Sequence, residues 1–336
     1  MKKLVYISLL FTLFISACRR EEDEVYSDHY DLEIPKGFPI PNIPADNYLS
    51  KSRVEMGKRL FFDTRLSVDN TISCASCHLP QLAFSDDKAL SFGVTGHIGK
   101  RNAPPLQNLA WVAPFMRDGG VPTLELQVHA PLTDTNEMAF DILLAVERLK
   151  DDPYYRDQSL YAYKRAFDAY VITRALAAFE RTLVSGNSKY DQYLYAGRIL
   201  TASELRGKDL FFSDSLHCSD CHSGYNFSNN QFENNGLYVV YPDTGRARIT
   251  LRPEDSGKFR VPSLRNVEVT APYMFDGSLA SLGDVIDHYA AGGAGNHNQS
   301  PLVAGFLLSQ QDKDDLIAFL KTLTDTDFLN NPAHRP

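Results

Sequence analysis

Cys74-Ala75-Ser76-Cys77-His78 and Cys218-Ser219-Asp220-Cys221-His222 are the two stretches that decide how this chain is read. In each, two thiols stand three positions apart on an opening helical turn. Each thiol can add to a vinyl group of one haem, and the His that follows faces the iron as proximal ligand. With five Cys and nine His in 336 residues, one chance Cys-x-x-Cys-His is expected about 0.002 times, and two far less often. Zinc is the competing use of paired cysteines, but these pairs begin at positions 74 and 218, where a zinc ribbon spaces them by about 15 to 20. A thioredoxin-like redox pair leaves both the trailing His and the duplication unexplained. The expected cofactors are therefore two covalent c-type haems, attached through Cys74, Cys77, Cys218 and Cys221, with His78 and His222 on the irons.

The duplication runs well beyond the pentapeptides. Gly57-Lys58-Arg59-Leu60-Phe61-Phe62 returns as Gly207-Lys208-Asp209-Leu210-Phe211-Phe212, each an apolar-faced helix leading into a haem motif. Downstream, Leu106, Asn108, Ala113-Pro114, Met116, Asp118-Gly119 and Leu124 recur as Leu264, Asn266, Ala271-Pro272, Met274, Asp276-Gly277 and Leu282. Further helices are expected over 169–184, 282–290 and 313–323, with Pro/Gly/Asn-rich loops filling much of the rest. The fold class is all-α with long loops, in two homologous haem domains over 46–190 and 191–336.

The repeat also makes the halves unequal. A haem that only passes electrons is usually ligated on both faces, whereas one that binds peroxide needs an open sixth position. In the second half His288 and Tyr289 sit on the helix after Asp276-Gly277, and both are candidates for the iron. The position matching Tyr289 in the first half is Pro131, which has no ligating side chain. Methionine is excluded from the second-half position, since none occurs after Met274.

Residues 1–17 read as an export signal: Lys2 and Lys3 are the charged region, Leu4 to Ile15 the apolar stretch, and small residues precede Cys18. Ile15-Ser16-Ala17-Cys18 resembles the bacterial lipobox, which makes Cys18 the lipidated N-terminus of the mature chain. A tether over 18–45 follows, opening on the charged run Arg19-Arg20-Glu21-Glu22-Asp23-Glu24. The expected location is the periplasm, anchored by lipid to the outer membrane. The acidic run, which resembles surface-export signals of some lipoproteins, leaves the outer face open as well. Apolar and charged contents of 43% and 23% are those of a globular protein. A net charge of -8 argues against nucleic acid as a partner.

On these residues the chain resembles the bacterial di-haem cytochrome c peroxidases, leaning toward the Tyr-ligated (MauG-like) branch that holds the methylamine-dehydrogenase maturation enzyme. The match covers about residues 46–324. It includes both haem motifs, Arg101-Asn102-Ala103-Pro104, Asn136-Glu137-Met138, Ala178-Phe179-Glu180-Arg181-Thr182-Leu183 and Val261-Pro262-Ser263-Leu264-Arg265-Asn266. The resemblance implies two cytochrome c-like domains with haems near their interface, a peroxidatic haem on His78 and an electron-transfer haem on His222. It places Tyr289 as the sixth ligand of the second haem, with His288 the lesser candidate. It also places Gln127 and Glu137 over the open haem, where Gln127 would orient peroxide. The Glu137 carboxyl would move a proton from one peroxide oxygen to the other, so that the O–O bond breaks and water leaves. One calcium ion between the domains, on Asn102, Thr270 and Pro272, is implied too.

Three departures from the family pattern stand out. Arg117 occupies the inter-haem slot that commonly holds a Trp, and the only Trp is Trp111. His97 lies near, but off register from, the removable distal His of main-branch relatives, and reads as a loop residue. Phe275 replaces a His before Asp276-Gly277. The leading expectation is a peroxidase reducing hydrogen peroxide to water with electrons from a small cytochrome c or cupredoxin. The alternatives are a MauG-like di-haem oxidase that modifies a protein or organic substrate, and a non-catalytic di-haem electron-transfer cytochrome. A homodimer is common among relatives.

Overall fold

The structure, a computed structural model, describes residues 28–336; the signal peptide, Cys18 and the Arg19 to Glu24 run lie outside the described residues. It is mainly helical, with one two-stranded antiparallel sheet pairing Phe232–Glu233 with Phe259–Arg260. The helix expected over 282–290 is Leu282–Ala290. Those expected over 169–184 and 313–323 are Ala169–Arg181 and Gln310–Lys321.

Each half is built on one helix crossing, and the crossings are the same. Helix Lys51–Phe61 starts where the Ser50 hydroxyl accepts from the Arg53 N–H, and it crosses helix Ala169–Arg181, capped by Asp168. At the crossing a Cβ on Gly57 would stand 1.8 Å from the Ala175 carbonyl oxygen and 2.9 Å from Phe179 Cβ. In the second half, helix Ala202–Phe211 crosses helix Gln310–Lys321, and a Cβ on Gly207 would stand 1.8 Å from the Asp315 carbonyl oxygen and 2.9 Å from Phe319 Cβ. Only glycine allows the backbones this close. The contact brings Leu60, Phe61 and Phe179 into one core and Phe211, Leu316 and Phe319 into another.

The two cores are interlaced at their edges. Tyr190, the last residue assigned to the first half, packs into the second core, on helix Lys189–Ala196. Phe328 and Leu329, near the C-terminus, return to the first core. Residues 28–45 of the expected tether are held against both halves. Asp28 accepts from the Ser52 backbone and hydroxyl at 2.9 and 2.6 Å. Phe38 packs edge-on against Trp111 and tilted against Tyr225, at 5.1 and 4.8 Å, and the Trp111 indole donates to the Pro39 carbonyl at 2.7 Å.

A pair of repeat-related asparagines joins the halves. Asn108 and Asn266 both take the left-handed conformation, at φ of 61° and 57°. Each oxygen accepts from a backbone N–H at 2.8 Å, Asn108 from Ser185 and Asn266 from Asp325. Asn108 Nδ2 donates to the Ser185 carbonyl and Asn266 Nδ2 to the Ser185 hydroxyl. Both asparagines are fully buried, so these bonds form where water does not compete and are costly to break. Among the described residues, no helix is long and apolar enough to cross a membrane.

Candidate active site

Both Cys-x-x-Cys-His motifs fall on single helical turns, Cys74–Ser76 and Cys218–Cys221. Each leads to a His whose ring is fixed by a backbone carbonyl. His78 Nδ1 donates to Phe84 O at 2.7 Å, and His222 Nδ1 donates to Phe227 O at 3.1 Å. Phe84 and Phe227 carry the left-handed backbone that aims those carbonyls back, at φ of 59° and 50°. Committing Nδ1 as donor leaves Nε2 as the free lone pair, the arrangement a proximal haem ligand requires. Burial pushes both rings below the ordinary histidine pKa, which keeps them neutral and able to ligate. Thiols, spacing and His tautomer all fit a c-type haem at each site.

The two anchoring phenylalanines are invisible to side-chain reasoning, because they act through the main chain. The Phe84 ring is itself clamped by the C-terminal tail, where His334 packs edge-on against Phe84 and Phe328, at 5.6 and 4.8 Å. The second half thus covers the proximal loop of the first.

Glu137 lies within electrostatic reach of both Cys74 and Cys77. Its loop is seated on residues 93–97. Val94 N–H donates to the Glu137 carbonyl at 2.8 Å, and a Cβ on Gly93 would stand 2.1 Å from the Asn136 carbonyl. The Glu137 side chain has an exposed face but is closely surrounded by protein on its other sides. That desolvation, with the Asp134 carboxylate nearby, pushes its carboxyl up to about 7. Gln127 ends helix Leu124–Gln127, with its amide 3.9 Å from the Met116 sulfur. His97 is turned away into its own loop, toward the Thr95 hydroxyl and the Thr135 carbonyl, each at 3.3 Å.

A carboxyl that was not singled out from the sequence also belongs to this neighbourhood. Glu180 is buried, its Oε2 has no hydrogen-bond partner among the described residues, and its charge bears on Cys74. Burial pushes it up to about 8, against the opposing pull of Arg181. Its position within Ala178-Phe179-Glu180-Arg181 was the only available signal.

In the second half the two candidate ligands part company. His288 Nε2 donates to the Asn235 carbonyl at 2.9 Å, so its outer nitrogen is committed. The Tyr289 phenol lies within electrostatic reach of Cys218 and Cys221, and burial pushes it up to about 12. Phe275 stacks face to face on Phe259, with centroids 4.3 Å apart and planes within 9°, which gives the residue before Asp276 a packing role.

Between the halves, Arg101 pairs with Asp118 at 2.8 Å and with Asp243 at 2.6 Å, tying the loops together. The calcium expectation does not fit here. Both oxygens of Asn102 are taken by Arg117, whose Nε donates to the Asn102 carbonyl at 3.0 Å and whose Nη2 donates to Oδ1 at 2.8 Å. A guanidinium stands where the ion would bind its one side-chain ligand, and Thr270 and Pro272 supply only main-chain oxygen.

Comparison with known proteins agrees with this geometry. A family model described as di-haem cytochrome c peroxidase matches residues 51–198. Methylamine utilization protein MauG of Methylorubrum extorquens is 36% identical over 86% of this chain and 82% of its own. Cytochrome-c peroxidase IdrP1 of Pseudomonas sp. (strain SCT) is 34% identical over 85% and 84%. Among solved structures, a MauG-like protein associated with microbial copper homeostasis superposes with a TM-score of 0.87 at 36% identity, over 91% of this chain and 99% of that one.

Proposed function

Because the chain belongs to the di-haem cytochrome c peroxidase family, we propose that it reduces hydrogen peroxide to two waters at the haem held by His78. Electrons from a small cytochrome c or cupredoxin would enter at the haem held by His222. The observation that carries the reading is the asymmetry of the two sites: Glu137, with its carboxyl near 7, beside the first motif, and Tyr289 beside the second.

When bound, the haem iron supplies the electrons and the Lewis acidity for O–O cleavage. The chain's residues manage the protons and the geometry. The Phe84 carbonyl holds His78 in the ligating tautomer. Pro131, at the repeat position matching Tyr289, has no ligating side chain, which would leave the first haem open to peroxide. The Gln127 amide orients the peroxide by hydrogen bonding. With haem bound, the Glu137 carboxylate would accept a proton from one peroxide oxygen and return it to the other, which would leave as water. With a pKa near 7, Glu137 serves as base and acid with little driving force lost in either direction. Tyr289 would help hold the second haem as a further ligand and so reserve it for electron transfer.

The export signal and lipobox-like Cys18 support a periplasmic protein anchored by lipid to the outer membrane, with either membrane face open to it. The test is a steady-state assay of the two-haem protein with hydrogen peroxide and a reduced small cytochrome. Turnover is expected, and its absence in fully haem-loaded protein would overturn the reading.

A second reading has its own support in Tyr289 and in the 36% identity to MauG and to the MauG-like structure. In it, the oxidising equivalents taken from peroxide are spent on a partner protein or organic substrate. The discriminating measurement is the lifetime of the peroxide-oxidised protein without donor. Persistence favours this reading and rapid return to the resting spectrum favours the peroxidase.

A further inference from the structure

We infer that this chain uses no metal ion between its haem sites and that the Arg117 guanidinium takes the ion's place on the Asn102 oxygens. The inference stands apart from which reaction the haems perform.

Asn102 is 4% exposed, and each of its polar groups is engaged without a metal. Its N–H donates to the Phe275 carbonyl at 2.8 Å, across to the second half. Its Nδ2 donates to the Lys88 carbonyl at 3.1 Å, and its two oxygens accept from Arg117 alone. The amide orientation is set by this network, because Nδ2 faces a carbonyl and Oδ1 faces a donor. The oxygen that would ligate a cation therefore already faces one.

The surroundings make a second cation unwelcome. Arg117 forms no ion pair with a carboxylate among the described residues, and neither does Arg260, whose backbone N–H donates to the Arg117 carbonyl at 2.7 Å. Desolvation is the largest influence on both guanidiniums, and the positive charges of Arg101 and Arg260 press further on Arg117. Both are pushed down to about 10, which still leaves them charged at neutral pH. Asp276 offers a distant counter-charge. The carboxylates nearest Arg101, Asp118 and Asp243, are already spent on Arg101, and Asp118 also on Arg248 at 2.8 Å. A hard dication binds where oxygen ligands and negative charge outnumber positive charge, and among the protein groups around Asn102 the balance is reversed.

Arg117 also does mechanically what a bridging ion would do. Its side chain holds Asn102 while its own carbonyl takes the Arg260 N–H, so segments of the two halves are joined through one residue.

The test uses the full two-haem protein, stripped with EGTA and titrated with calcium alone, in wild-type, Arg117→Ala and Arg117→Lys forms. Wild type should retain well under one equivalent of calcium, with the same thermal midpoint in EGTA and in millimolar calcium. Arg117→Ala frees the Asn102 oxygens. It should take up about one equivalent and melt higher with calcium than with EGTA. Arg117→Lys keeps the charge and should remain calcium-free. One tightly held calcium in wild type would overturn the inference. So would a folded, haem-loaded Arg117→Ala that binds none. If Arg117→Ala does not fold, Arg117→Gln takes its place, and the wild-type measurement decides by itself whether an ion is present.

Discussion

His288 Nε2 donates to the backbone carbonyl of Asn235 at 2.9 Å, while the neighbouring Tyr289 phenol meets the Asn235 side chain within reach of Cys218 and Cys221. Tyr289→Phe should convert the second haem from a six-coordinate to a five-coordinate spectrum, read by electronic absorption and electron paramagnetic resonance. His288→Gln should leave the coordination of that haem unchanged. A spectral change in the His288 variant alone would reassign the ligand.

Glu137→Gln should lower peroxide turnover by about 10²–10⁴-fold, the usual span for loss of a general acid–base group, while the haem spectra stay as in wild type. The wild-type pH profile follows from the raised carboxyl. The carboxylate that accepts the first proton is populated above its pKa, so turnover should rise through about pH 7. In the Gln variant that limb should be missing.

Glu180 makes stability fall with rising pH. Its folded pKa, near 8, lies above the unfolded value, so the folded state binds the extra proton. The resulting stability is full below about pH 4.5 and is lost as pH climbs toward 8. The expected slope from this one group is about 1 kcal/mol per pH unit. Glu180→Gln should flatten it and raise the urea midpoint at pH 8. Parallel pH profiles for variant and wild type would show that Glu180 does not titrate in this window.

Gly57→Ala and Gly207→Ala place a Cβ 1.8 Å from a carbonyl oxygen at each helix crossing. Each should cost about 1–3 kcal/mol or more as the helices are forced apart, read as a lowered denaturation midpoint and reduced haem incorporation. Gly197→Ala, where nothing lies within 4 Å but φ is 74°, should cost only the strain of the left-handed backbone, about 1 kcal/mol.

What could be read from the chain alone is what covalent chemistry and repetition dictate. Thiols three apart followed by His, occurring twice in an internal repeat, point to two haem turns. A repeat of Gly57-Lys58-Arg59-Leu60-Phe61-Phe62 in the second half predicts the same helix twice, and Pro131 opposite Tyr289 predicts unequal irons. These are local facts, carried by side-chain identity and spacing.

The tertiary structure decided what depends on main-chain direction and on charges far apart in sequence. Phe84 and Phe227 orient the proximal rings through carbonyls, which residue type does not encode. His288 is bonded to an acceptor 53 positions away, at Asn235. Within the expected tether, Asp28 is held by hydrogen bonds to Ser52 and Phe38 by aromatic packing against both halves. The calcium expectation gives way because Arg117 reaches Asn102, fifteen positions back, and satisfies both of its oxygens. Whether an oxygen is free for a metal depends on every donor that folding brings within about 3 Å of it, and only the folded chain settles that.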